Sequence, residues 1–519
     1  MENEERGEGA HPKGEWVVRG LERIEGAIPV ETYGGRVHVE WDPEQEVTAF
    51  GQLPYFIEFL KTAGLFEAWV EGCPIKRSSP NAPTNGEVLG TYLLGVLAGE
   101  NRYAHITGLR ADRVNPGLLG MRKVLSEDAI RRAFEKVEAG ECEKWQKEQL
   151  KSTYGPLLYE PYILDVDSMV KPLYGKQEGA VVGYNPHKPG RPAHVYHTYL
   201  IANLRLVMDV EVEAGNQTAA KYAMPGLWEL LDSLPAGARP AMVRGDCAFG
   251  NEAIIAGCEW RELPYLFKLR QTANVKKLVD FVSSSSREWS HAGQGWEGIE
   301  SELRLSGWSR ARRVVVLRRK LAEKRKKPHG NTKQKPLLPF MDDVPGAEYY
   351  EYAVLVTSLK DEVSTIAQHY RDRADGENNF DELKNQWGWG GYTTKDLKRC
   401  QISARIVAQV YNWWTIFVRL AAPHKHLEGI TSRPLMLHAI GRQTTHSGQK
   451  RIKVTSSHAK AASIQIVLNS ISRFLRRISE YAEQLPKAET WRQILSAAFR
   501  HFLHGRMLKT PVLLSSHAQ

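Results

Sequence analysis

Tyr370, Arg373, Glu377 and Lys384 stand on one stretch, YRDRADGENNFDELK, whose composition reads as a helix. At about 100° per residue they fall near 0°, 300°, 340° and 320°, a stripe roughly 60° wide. A carboxylate flanked along one face by Arg, Lys and Tyr suits a metal-bound phosphodiester. The carboxylate would hold the metal, and the three neighbours would grip phosphate. The rival reading is a solvated helix laced with i,i+3 and i,i+4 ion pairs. Choosing between the two requires more carboxylates elsewhere in the chain.

Two strand-like runs supply them. YILDVDSM is apolar and β-branched, and strand periodicity puts Asp165 and Asp167 on the same face. AMVRGD ends in Asp246. Asp246 lies 79 residues beyond Asp167 (246 − 167), and Glu377 lies 131 further on (377 − 246). Three carboxylates from two strands and a helix could hold two divalent ions about 4 Å apart. Oxygen-only ligands select Mg²⁺ or Mn²⁺ over zinc or copper. Either Asp165 or Asp167 could serve as the first of the three.

The elements that would carry these residues follow a readable order. Residues 1–50 are an acidic segment with short β-like runs such as RVHVEW, and the first 14 read as disordered. Residues 51–155 turn helical: YFIEFLKTAGLFEAWV is amphipathic, GEVLGTYLLGVLAGE is apolar enough for a buried helix, and Ser126 is placed to cap LSEDAIRRAFEKVEAGECEKWQKEQL. This region suits either a DNA-end-binding and dimerisation domain or a plain helical bundle. From 156 to 273 come three strands, a helix, a strand, a helix and a strand, an α/β layer with acids at strand ends. Ligands of such layers sit beyond the carboxyl ends of the strands. Residues 274–361 read as an inserted β-rich and basic domain, containing Trp289, Trp296, Trp308 and the loop AEKRKKPHGNTKQKPLLP. Residues 362–420 resume the layer with the Glu377 helix and a long buried helix, in which Asn412, Trp413 and Trp414 read as core. Residues 421–519 form a basic helical C-terminal region whose first part, 422–455, reads as a loop.

Bulk properties narrow the class of function. A chain of 519 residues with 42% hydrophobic and 25% charged content is that of an ordinary globular protein. No run of 18 apolar residues exists, and the polar N-terminus is unlike a secretory signal, so a cytoplasmic, membrane-free protein is expected. Five scattered cysteines without a CxxC pair fit a reducing compartment and give no zinc site. Net charge is +10, but unevenly placed. Residues 1–50 hold 12 acids and 5 bases, whereas residues 398–519 hold 19 bases and 4 acids. Between Arg310 and Lys335 stand 12 bases and one acid. Such asymmetry points to a polyanionic partner, DNA or RNA.

Tyr370-x2-Arg373-x3-Glu377-x6-Lys384 resembles the Y-R-E-K signature of bacterial insertion-sequence DDE transposases. LDVDSMV resembles the first-Asp strand of that group and MVRGDCAF its second. The stretch from VDSMVKPLYG through HVYHTYLIANLRLVMDVEVEAG is also similar to piggyBac-type transposases. The likeness covers roughly residues 160–420. It implies a ribonuclease H-like catalytic core interrupted by the β-rich insertion domain, flanked by helical N-terminal DNA-binding and C-terminal regions. It further implies that Asp167, Asp246 and Glu377 bind Mg²⁺, with Mn²⁺ able to substitute, and that Tyr370, Arg373 and Lys384 contact DNA phosphates. Asp167 is preferred to Asp165 because Ser168 follows it, as in the family's Asp-Ser/Thr pattern.

The implied enzyme is a polynucleotidyl transferase that binds the terminal inverted repeats of its element, cleaves them and joins the 3′-ends to target DNA. Cutting at both ends calls for a homodimer on paired ends, in a bacterial cytoplasm and associated with the nucleoid when DNA-bound. The alternatives are a catalytically inactive DNA-binding derivative and a nuclease on the same fold; retention of all three carboxylates weighs against the former. In the loop GYNPHKPGRP, Tyr184, Lys188 and Arg191 are further candidates for DNA contact, set against a plain Pro/Gly-punctuated surface loop. Any of Trp289, Trp296 and Trp308 could stack on an extruded base, although core packing is the commoner role. His187, His194 and His197 lack paired ligand spacing and read as structural.

Overall fold

Apolar and β-branched residues recur along most of the stretches that become strands, and ten strands join one mixed sheet. The computed structural model describes residues 26–42, 44–77, 79–135, 137–185, 188–217, 219–321, 350–455, 458–482 and 486–509. The first 14 residues, His187 and the basic loop after Leu321 lie outside the described residues. The chain divides into two units, residues 1–46 and 47–519. In the first, strands Ile28–Thr32 and Gly35–Val39 pair as an antiparallel hairpin.

The sheet of the second unit contains β1 (Ile163–Pro172), β2 (Val181–Val182), β3 (Pro192–Ile201), β4 (Leu206–Ala214), β5 (Met242–Gly245), β6 (Tyr265–Lys268), β7 (Ser290–Gly293), β8 (Trp296–Leu303), β9 (Arg312–Lys320) and β10 (Tyr350–Thr357). Its order is β7-β8-β9-β10-β6-β5-β1-β3-β2, with β4 also paired to β3. β5 runs parallel to both β1 and β6, and every other pairing is antiparallel. A mixed sheet covered by helices agrees with the expected ribonuclease H-like transposase core.

The segment 274–361 departs from the expected β-rich insertion in two ways. It begins with a helix, Ala273–Ser284, and its strands do not form a sheet of their own. β10 pairs with β6, Leu355 opposite Lys268, so β7–β10 prolong the core sheet. An open β6 edge would leave a row of unpaired backbone groups, and β10 satisfies them. Arg312 of β9 strengthens the join: it is buried and bonds Glu252 at 2.5 Å and Glu259 at 2.8 Å, both on helix Glu252–Trp260.

One face of the sheet is closed by the long helix Leu397–Ala421. Its Arg405 pairs with Asp209 of β4 at 2.7 Å, and both side chains are buried. Asn412 exchanges two 2.8 Å bonds with the backbone of Val207, while Trp413 and Trp414 are fully buried. The expected core role of that run is what the structure has. Helices Leu53–Ala63, Asn85–Leu97 and Ala139–Tyr154 pack onto the same hydrophobic cluster, as does Lys487–Ala498 from the C-terminal end. Ser126 caps its helix through Ala129 N at 3.3 Å, but that helix stops at Ala133 and a new one starts at Ala139. Residues 422–455, expected as a loop, contain helix Gly429–Met436 and a hairpin, Gly441–His446 with Gln449–Val454.

Candidate functional site

The site rests on a buried ion pair between the two aspartate strands. β1 and β5 lie side by side with Asp165 opposite Arg244 and Val166 opposite Gly245. Arg244 Nε and Nη2 donate to the two oxygens of Asp165 at 2.6 and 2.8 Å, with both side chains only 2% exposed. Its remaining Nη1 donates to the backbone carbonyl of His369. A single guanidinium therefore ties β1, β5 and the helix Val363–Arg371, which holds His369, together. Asp165 is the foot of the site, held away from solvent, and burial pushes its carboxyl upward against the pull of Arg244. Two residues further on stand Asp167, still within β1, and Asp246, directly after the last residue of β5. The expectation that both end their strands holds for Asp246 alone, because β1 stays paired with β3 as far as Pro172.

The stretch 370–384, expected as one helix, is two. Val363–Arg371 ends before Arg373, and a second helix runs Ala374–Gln386. Between them the turn tightens: Arg373 N donates to Tyr370 O, Asp375 N to Asp372 O and Gly376 N to Arg373 O, all three residues back. Such 3₁₀ bonding takes three residues per turn. Tyr370 thus sits on the first helix, Arg373 in the turn, and Glu377 and Lys384 on the second. Gly376 lets the second helix settle onto the foot, because a Cβ there would stand 2.9 Å from Asp165 Oδ2.

Arg373 is the hub of the upper layer. Its Nη2 donates to Asp167 Oδ2 at 2.9 Å and its Nη1 to Glu377 Oε1 at 2.5 Å. The guanidinium is buried and Asp167 nearly so, whereas the Glu377 side chain is 61% exposed. Asp167 Oδ1 accepts from Ser168 N at 2.7 Å, and Asp246 Oδ1 accepts from Ala248 N at 2.8 Å. Burial pushes the Asp167 carboxyl up to about 7; Arg373 opposes this, and the charges of Asp246 and Glu377 reinforce it. Tyr370 is pushed up to about 12, first by burial and then by Asp246 and Glu377, with Arg373 opposing. Asp167, Asp246, Glu377, Tyr370 and Arg373 therefore share one electrostatic neighbourhood.

The other expected contacts fall elsewhere. Lys384 is half-buried and forms no ion pair with these carboxylates. Tyr184 is 78% exposed. Lys188 donates to the hydroxyl of Tyr174, and the Arg191 guanidinium lies 4.9 Å from the Tyr174 ring, so the loop gathers on an aromatic side chain the sequence did not single out. Arg310 pairs with Glu259 at 3.0 Å. Of the tryptophans, Trp308 is buried, and each of the three has an arginine over its ring: Arg318 at 4.0 Å on Trp289, Arg319 at 4.7 Å on Trp296 and Arg312 at 4.9 Å on Trp308. A base would have to displace one of them to use that face. His194 bonds the Glu178 carbonyl at 2.8 Å and His197 is buried, as the structural reading expects. Arg244 was missed, yet a signal existed: it precedes Asp246 by two residues as Asp165 precedes Asp167, which places the pair at equal height on parallel neighbours.

Asp167, with the carboxylates of Asp246 and Glu377 near enough for their charges to raise its proton affinity, belongs to a set of three oxygen donors of the kind a hard divalent cation takes. As placed, they do not close on a metal: among the described residues no group of three or more His, Cys, Asp and Glu is gathered tightly enough. The Arg373 guanidinium lies between Asp167 and Glu377 and serves as their internal counter-ion. The residue types fit a divalent cation, provided the exposed Glu377 leaves Arg373.

A family model described as transposase DDE domain group 1 matches residues 56–476. Among curated proteins nothing matches the chain. A solved structure, the piggyBac transposase synaptic complex with hairpin DNA, determined by cryo-EM, is similar at 10% identity and a TM-score of 0.37, covering 87% of this chain and 85% of that one.

Proposed function

The chain belongs to the transposase DDE domain group 1 family, and we propose that it is an active enzyme that cleaves the inverted-repeat ends of its own element and joins the 3′-ends to target DNA. The observation that carries this reading is that Asp167 within β1 feels the charges of both Asp246, just past the end of the adjacent β5, and Glu377, which shares the Arg373 guanidinium with it. Asp167, Asp246 and Glu377 would hold the divalent metal, Mg²⁺ or Mn²⁺. When bound, that metal supplies the acidity that generates the nucleophile and the charge that stabilises the leaving oxygen at phosphorus. Arg373, once released from the carboxylates, presents a planar fork suited to a phosphate. Tyr370 keeps its proton at neutral pH and can donate to a phosphate oxygen. Lys384, Tyr184, Lys188 and Arg191 would track the DNA backbone around this centre. Paired cutting of two ends calls for a homodimer on DNA.

The test is cleavage of a duplex carrying the element's end in the presence of Mg²⁺. Asp246→Ala should abolish cleavage while leaving end binding within about threefold; normal cutting by the variant would overturn the site assignment. Products that stop at hydrolysis, with no joining to a target duplex, would favour a nuclease. A protein that binds ends but never cuts would favour an inactive derivative.

A further inference from the structure

A second surface of opposite charge stands in the hairpin Gly441–His446 and Gln449–Val454. Ser447 and Gly448 make its two-residue turn, both with positive φ, the conformation of a tight hairpin. The inner strand is fastened at its base: Gly441 lies opposite Thr48 and Arg442 opposite Val47, Gly51 N donates to Ala439 O, and Thr455 N donates to Ile440 O. The strand ends of the ribbon are thereby fixed to the helical part of the second unit, while the tip projects.

The hairpin carries Arg442, Lys450, Arg451 and Lys453, and it has no acid. All four cations are exposed and, among the described residues, none has an ion-pair partner. Arg442 stands directly opposite Lys453, and Thr444 opposite Arg451. With side chains alternating along each strand, Arg442, Arg451 and Lys453 share one face. Like charges directly across a sheet are disfavoured, and opposite charges are the usual stabilising pair. Lysine on an outer strand commonly protects an edge from aggregation. Protection alone does not explain Arg442, which is on the inner strand with Lys453 across from it. An arrangement that works against its own folding is relieved when a polyanion neutralises it.

We propose that this ribbon is a duplex-DNA contact outside the catalytic site, with Arg442, Arg451 and Lys453 on backbone phosphates. The proposal rests on the transposase reading for the identity of the polyanion. A two-stranded ribbon is of a size that the major groove, about 12 Å wide, admits. Phosphate contacts of this kind raise affinity without reading sequence.

The experiment is a salt titration of binding to a labelled duplex carrying the element's end. The triple variant R442Q/R451Q/K453Q is compared with the unchanged protein. Loss of three phosphate contacts should make the slope of log affinity against log salt shallower by about 2–3. Affinity should fall on unrelated duplexes by a similar factor. Cleavage of fully bound end DNA should keep its rate. The pair R442K/R451K should retain the original slope, which separates lost charge from a damaged hairpin. An unchanged slope in the triple variant overturns the ribbon and leaves the transposase reading standing. Failure of the unchanged protein to bind any duplex overturns that reading itself, and preferential binding of single-stranded RNA by the ribbon overturns the assignment to duplex DNA.

Discussion

Two layers of charge lie two residues apart on the same pair of strands, and they are built differently. In the lower layer Asp165 and Arg244 face each other with both oxygens bonded and both side chains out of solvent. In the upper layer a single guanidinium, Arg373, serves Asp167 and Glu377, with Asp246 close enough to be felt and Glu377 mostly exposed. The lower layer is closed and satisfied, so it can fix the spacing of the strands but cannot accept a ligand. The upper layer holds more negative charge than its cation offsets. Uncompensated charge costs stability, and it concentrates at sites kept for binding.

Removing one partner from each layer should separate the two roles. Asp165→Ala leaves Arg244 buried without its counter-charge and should cost about 3–5 kcal/mol in urea unfolding. Asp167→Ala removes a carboxylate crowded by two others, and should change stability far less while abolishing cleavage. If Asp165→Ala unfolds no more easily than Asp167→Ala, the lower layer is not a foundation. The comparison can be read from unfolding curves alone, independently of any DNA substrate.

Although only Asp246 proved to stand at a strand end, the upper layer was legible in the sequence because its chemistry is local in type: carboxylates on apolar strand-like runs and a Tyr-Arg-Glu-Lys spacing. The break at Asp372–Arg373 was not, since 3₁₀ and α turns differ by one residue in bonding and share φ/ψ. Arg244 was not seen because its signal appears only when two strand-like runs 79 residues apart are compared: each of Asp165 and Arg244 stands two residues before an aspartate, and neither run shows the match by itself. The α/β rhythm predicted the five strands β1, β3, β4, β5 and β6, each an apolar run bounded by turns. That β10 would dock on β6 was hidden, because an edge pairing depends on backbone groups that every sequence has. The basic stretch 422–455 read as loop, since a ribbon with cations on both strands lacks the apolar alternation that marks a half-buried hairpin.

Proton uptake offers a second way to distinguish the layers. The Asp167 carboxyl is pushed up to about 7, against about 3.9 for an unfolded aspartate. Between these values the folded chain holds a proton that the unfolded chain has lost. Stability from this group is therefore present below about pH 4 and declines as pH rises toward 7. In metal-free buffer, the stability of Asp167→Asn relative to the unchanged protein should increase across that window and level off above it. A difference that stays flat from pH 4 to 8 would mean that Asp167 is ionised throughout, with Arg373 outweighing its burial and its acidic neighbours. Asp165 titrates in both proteins and cancels in the comparison.

The subtlest change is at the junction of the layers. Gly376 lies where a Cβ would meet Asp165 Oδ2 at 2.9 Å, and that oxygen is not free to yield because Arg244 Nη2 holds it at 2.8 Å. Gly376→Ala gains about 1 kcal/mol of helix propensity. Overpacking a site that cannot relax costs about 1–3 kcal/mol. The net loss should be about 0–2 kcal/mol, small enough to leave the fold intact at 25 °C. The accommodation available is a shift of the second helix away from β1, which carries Glu377 away from Asp167 and Asp246. Cleavage should then fall by more than the stability change would suggest, with end binding retained. Wild-type cleavage by Gly376→Ala would show that the upper layer does not depend on how closely the helix rests on the lower one.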